Sequence, residues 1–156
     1  GGVPSTFAGG LVSAAAGGLA SASAGGLVSA ALLSVPGASA YFLGGAVVYT
    51  RQARDMLMAI SDGDMKGLRS SSEPYAQLLA RTMRTRFNAT WGLSETGAAG
   101  PTGNRYGDAS GHSCMAIAGP SIEQAKTLET ASTDRVANMR IFAATALELL
   151  EKQLKG

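Results

Sequence analysis

The sequence predicts an α/β fold: a three-layer sandwich whose central mixed sheet carries helices on both faces. Three observations point there. Short runs such as GAVVYT (45–50) and HSCMAIA (112–118) have strand composition. Segments of helical periodicity lie between and after them. Start and stop signals separate the two kinds of segment, and alternation of this sort within 156 residues is the pattern of a layered α/β domain.

Taken in order, 25–35 reads as a helix that follows a Gly-Gly pair and must stop near Pro36. The strand at 45–50 comes next, then a short helix over 51–60 with Met56, Leu57 and Ile60 as its apolar set. A polar loop fills 61–67. Ser72-Glu73-Pro74 opens a helix with a cap, an early acid and a proline in the first turn. That helix sets Leu78, Leu79 and Met83 on one side and Arg81, Arg84 and Arg86 largely on the other. A strand over 89–96 precedes a glycine-rich loop, 97–111. Strands at 112–118 and 125–130 follow. The last helix is capped by Thr133, favoured by Asp134 at its positive end, and carries Val136, Met139, Ala143, Leu147, Leu150 and Leu154 at three- and four-residue steps.

Composition narrows the function classes. Hydrophobic residues make up 46% and charged residues 15%, and all 13 basic and 11 acidic side chains lie from Arg51 onward. The charged part therefore has the balance of an ordinary globular domain, which excludes a disordered chain. One cysteine, Cys114, excludes a disulfide scaffold. A net charge of +2, with no aromatics interleaved among the arginines, argues against a nucleic-acid partner. The uncharged start is mostly Gly, Ala and Ser, too weakly apolar for a membrane span, and no basic residue precedes it as a signal peptide requires. A cytoplasmic protein without a membrane partner is expected, as a single domain over 1–156.

The same start contains a tandem repeat: AGGLVSAA, AGGLASAS and AGGLVSAA, at 8–15, 16–23 and 24–31. A period of eight drifts by roughly 80° of helical angle per copy. Paired glycines each cost about 1 kcal/mol inside a helix. Residues 1–23 thus read as low-information sequence, with normal specificity beginning in the third copy.

Motif by motif, the chemistry is sparse. The loop GAAGPTGNRYGDASG follows a strand but lacks the GK[ST] ending of a P-loop and reads as a surface loop. His112, the only histidine, reads as structural, so a Ser-His-Asp triad is not expected. Cys114 reads as a buried thiol. No Cys/His cluster has zinc spacing, and neither a metal nor a cofactor is expected.

From residue 24 the chain resembles the CinA C-terminal domain family, the nicotinamide-nucleotide amidases. The resemblance is carried by AGGLVSAALLSVPGASAYFLGGAVVYT (24–50), SEP (72–74), TGAAGP (96–101) and DRVANMRIFAATALELL (134–150). These look like the family's TGGL…PGSSxxFxxGxVxYS, V/LSEP, TGIAGP and GDRxxxR…AL signatures. The resemblance implies hydrolysis of the carboxamide of nicotinamide mononucleotide to the acid and ammonia. It places Ser39 at the nucleophile position, with Tyr49 and Thr96 lining the same pocket. Gly25, Gly26 and Gly97 fall among its substrate-binding positions, and Arg135 or Arg140 would hold the phosphate. A small domain of this kind is also expected to form a homo-oligomer.

Two departures temper the implied activity. The family has a lysine shortly after the tyrosine, thought to serve as base; here Gln52 stands three residues after Tyr49, between Arg51 and Arg54. Neither glutamine nor arginine can take the serine's proton, and loss of a general base costs about 10²–10⁴-fold. The family's acid in an ES-T/C-GG motif is also missing, because Ser21-Ala22-Ser23-Ala24 precede Gly25-Gly26. Weak amidase activity is the first expectation, and a catalytically silent pyridine-nucleotide-binding or assembly module is the alternative.

Overall fold

A computed structural model describes residues 17–155. Strand β1 (Gly17–Ser21) leads through helix α1 (Leu27–Leu33) and a single 3₁₀ turn (Ala38–Ala40) to β2 (Phe42–Val47). Helices α2 (Arg51–Met58) and α3 (Glu73–Arg86) then carry the chain to β3 (Trp91–Ala98). Strands β4 (His112–Ala118) and β5 (Glu123–Glu129) precede the long helix α4 (Arg135–Lys155). The sheet order is β2-β1-β3-β4-β5. β1 pairs in parallel with β2 and β3, whereas β3, β4 and β5 form antiparallel pairs, so the sheet is mixed.

Alternation along the strands builds the two helix layers. Leu19, Leu93, Met115 and Ile117 face α1 and α4, where Val28, Leu32, Phe142, Ala146 and Leu150 close the larger core. On the opposite face Ala20 meets Met58, Leu79 and Met83, while Cys114, Ala116 and Ala118 meet Ala76 and Ala80 of α3. Where α3 meets β4, the contact is made of small side chains. A Cβ at Gly92 would run into the Ala80 carbonyl oxygen, so glycine there lets α3 lie directly on β3.

Several boundaries shift from their sequence expectations. β1 lies within the second repeat copy, so an inner strand comes from sequence that reads as low-information. β2 begins three residues before the expected strand, at Phe42, because Gly44 and Gly45 pair directly with Gly18 and Leu19. The ring of Phe87 covers Gly44 closely enough that a Cβ there would meet it at 2.7 Å. β3 likewise starts at Trp91 rather than at 89. The cap of α4 is Asp134, not Thr133: Asp134 Oδ1 accepts from the Ala137 N–H at 3.1 Å. The buried stripe of α4 is also rotated, since Val136 is exposed while Asn138, Phe142 and Leu149 are buried.

Candidate functional site

The strand order creates a crevice. From the carboxyl end of β1 the chain turns toward β2, while β3 lies on β1's other side and its following loop leads away toward β4. Open α/β sheets bind ligands at such a reversal, beyond the carboxyl ends of the strands. A cleft of about 530 Å³ lies here. Its floor is Ala22, Ser23, Thr96 and Gly97. One wall comes from Val48 to Arg54, and the other from the Leu68–Ser71 segment and Tyr106.

The floor is organised by a carboxylate. Glu95, fully buried, is the register partner of Ser21 on β1. Ser21 Oγ donates to Glu95 Oε2 at 3.0 Å and the Ala24 N–H donates to the same oxygen at 2.7 Å. Ser23 Oγ and Ser113 Oγ donate to Oε1. A carboxylate on the strand facing the end of β1 thus fixes the turn that begins the cleft. Nothing in SETG (94–97) announces this, because only the strand register brings Glu95 to Ser21.

A second network holds the far wall. Thr96 Oγ1 accepts from the Ser71 N–H at 3.3 Å. The Ser71 carbonyl accepts from His112 Nε2 at 2.8 Å, and His112 Nδ1 meets Glu129 Oε1 at 2.5 Å. Arg69 grips Asp108 with both Nη atoms, at 2.7 and 3.1 Å, and Asn104 Nδ2 donates to the same carboxylate. The Arg69 hydrogen bond outweighs burial, which acts the other way, and with Asn104 holds the Asp108 carboxyl below the usual carboxylate range. Burial pushes the Cys114 thiol up, in keeping with an inert buried cysteine.

The expected site residues separate. Tyr49 and Thr96 both line the cleft. Arg135 sits at its rim, donating from Nη2 to the Tyr49 hydroxyl at 3.3 Å and from Nη1 to the Gly100 carbonyl. Gly97 lines the floor, where a Cβ would collide with the His112 carbonyl of β4. Gly25 has φ +62 and Gly26 precedes α1; both belong to the turn beyond the floor and do not line the cleft. Arg140 is exposed on α4 and makes no side-chain hydrogen bond or ion pair among the described residues.

Ser39 is not brought to Tyr49 and Thr96. It lies exposed in the 3₁₀ turn before β2, at the amino ends of the parallel strands, whereas the cleft lies at their carboxyl ends. Six residues of β2 intervene, a span of roughly 17 Å. The first turn of α2 separates the residues around the expected lysine position. Gln52 does not line the cleft, whereas Arg51 and Arg54 of the same helix do, the latter only 7% exposed.

Comparisons with known proteins agree with this architecture. The model of the CinA C-terminal domain matches residues 14–154. The chain belongs to the CinA C-terminal domain family. A CinA-like protein of Desulforapulum autotrophicum is 35% identical over 120 residues, 77% of this chain and 28% of that protein. One from Gloeothece citriformis is 31% identical over 122 residues, covering 77% and 29%. This CinA domain therefore spans under a third of the length of the curated relatives it matches. Among solved structures, a competence-damaged protein (CinA) superfamily protein from Klebsiella pneumoniae superimposes with a TM-score of 0.88 at 20% identity, covering 96% of this chain and 94% of that one. A competence/damage-inducible protein from Agrobacterium tumefaciens gives 0.86 at 22% identity, covering 96% and 91%. These likenesses show the fold. Among the described residues, no helix is long and apolar enough to cross a membrane, and no three His, Cys, Asp or Glu side chains are placed to hold a metal ion.

Proposed function

We propose that this CinA domain binds nicotinamide mononucleotide, or a close relative, in the cleft beyond β1 and β3, as a binding module and not as an efficient amidase. The observation that carries the reading is the charge of the cleft. Arg51, Arg54, Arg69 and Arg105 line it against the single carboxylate of Asp62, so it favours an anionic ligand. The rings of Tyr49 and Tyr106 line the same space and offer flat surfaces to a heterocycle. Hydrolysis needs a nucleophile and a base in contact with one carboxamide. Ser39 lies at the other end of the sheet, and the arginines that line the cleft are not general bases.

One contact favours a second reading, residual hydrolysis. Ser23 lines the floor with its hydroxyl donating to Glu95, a nucleophile beside a carboxylate. The deciding experiment couples calorimetry with ammonia release from nicotinamide mononucleotide, run on the wild type, Ser23→Ala and Ser39→Ala. Saturable binding without ammonia supports the binding module. Ammonia lost only in Ser23→Ala establishes the second reading, and ammonia lost in Ser39→Ala returns the nucleophile to Ser39. Absence of binding in every form overturns the nucleotide reading.

A further inference from the structure

The four arginines of the cleft differ in what holds them. Arg69 is locked by both nitrogens onto Asp108, whose side chain is largely buried and also bonded to Asn104. Arg105 donates to the Tyr106 hydroxyl and lies 5.1 Å from that ring's centre. Arg54 and Arg51 share one partner, Asp62. Arg54 Nη2 donates to Asp62 Oδ1 at 2.7 Å, and Arg51 Nη2 pairs with Oδ2. Asp62 belongs to a surface turn, and its side chain is 58% exposed.

This arrangement has the shape of an anion site already filled. Two guanidinium groups converge on two oxygens of one acid, as they do on phosphate. Arg54 is held in place independently of Asp62, because its Nε donates to the Ile60 carbonyl at 3.2 Å and its side chain is nine-tenths buried. The pair stands in the first turn of α2, which contains no acidic residue and whose backbone adds positive potential there. One carboxylate facing two arginines leaves an uncompensated charge that a phosphomonoester dianion would neutralise. Exposed carboxylate pairs are weak, so Asp62 is the displaceable partner, and Asp108 is not.

We propose that Arg51 and Arg54 are the phosphate subsite of the cleft, and that Asp62 is a built-in competitor which occupies it until a phosphomonoester displaces it. The proposal rests on the mononucleotide reading and names the wall that takes the phosphate. It also gives Asp62 a function opposite to that of a ligand-binding residue: its removal improves binding.

The test is calorimetric titration of the wild type, Asp62→Asn and Arg51→Gln with inorganic phosphate and, separately, with nicotinamide mononucleotide. Asp62→Asn is expected to bind phosphate about tenfold more tightly than the wild type, and Arg51→Gln to lose affinity for both ligands by a similar factor. Equal phosphate affinity in Asp62→Asn and wild type overturns the competitor, whatever the nucleotide does. Mononucleotide binding that ignores Arg51→Gln overturns the subsite and leaves the mononucleotide reading standing. Tighter phosphate binding by Asp62→Asn with no nucleotide binding in any form supports the subsite and removes the nucleotide. Should Asp62→Asn lose its native circular dichroism spectrum, Arg51→Gln decides alone, because Arg51 is exposed and its replacement leaves the core untouched.

Discussion

Both ring nitrogens of His112 face obligate acceptors, the Glu129 carboxylate and the Ser71 carbonyl, so only the imidazolium satisfies both. Asp108 adds a second carboxylate 3.6 Å from Nε2, while Cys114 Sγ lies 3.7 Å from the same nitrogen. Burial opposes the charge, yet the bonds to Glu129 and Ser71 and the field of Asp108 and Glu129 outweigh it and raise the pKa above 6.5. A folded pKa above the unfolded one gives stability that is complete below about pH 6.5 and is lost as pH rises through the folded value. The urea midpoint of the wild type should therefore fall as pH rises above about 6.5, and His112→Gln should flatten that slope. A wild-type midpoint that stays level or climbs with pH in this window would refute the assignment. Sequence already marks His112 as structural, since a lone histidine at a strand start lacks partners for catalysis. Its partners are invisible there, because Ser71 and Glu129 are 41 and 17 residues away and meet it only through folding.

At the scale of elements, legibility tracks how much a segment's side chains say about its surroundings. The helix from Glu73 and the strand from His112 were readable because Ser72 caps the one and apolar residues fill the other. β1 was not, because Gly, Ala and Ser carry neither period nor propensity, and smallness is what the position demands: a Cβ at Gly18 would meet the Phe87 ring at 2.9 Å. What binds β1 to β3 at the cleft is Glu95 with its four donors. Glu95→Ala leaves the Ser21, Ser23, Ser113 and Ala24 donors without their common acceptor and should cost more than about 3 kcal/mol. Glu95→Gln keeps one acceptor oxygen and should cost less than Glu95→Ala. Guanidinium denaturation of both variants checks the ranking, and an alanine variant within about 1 kcal/mol of wild type would show that the knot is dispensable. Tyr49 and Thr96 both line the cleft, since the one follows β2 and the other lies within β3, and both strands end there. The motifs could not show that Ser39 sits before β2 and Tyr49 after it, because a motif records order along the chain and not which end of a strand a residue occupies.

For the whole molecule, a net charge of +2 conceals a local concentration of four arginines at one end of the sheet. Binding that relies on this concentration must depend on salt, because exposed charges are screened over about 8 Å at physiological ionic strength and about 3 Å at 1 M. Affinity for nicotinamide mononucleotide should therefore fall by about tenfold or more between roughly 50 mM and 500 mM sodium chloride. Nicotinamide riboside, which keeps the ring and sugar but lacks the phosphate, should bind more weakly and respond far less to salt. Isothermal titration of both ligands at the two salt concentrations separates charge from shape. Parallel salt responses would mean that the arginines serve the fold and not the ligand, and that ring contacts at Tyr49 and Tyr106 carry whatever affinity remains.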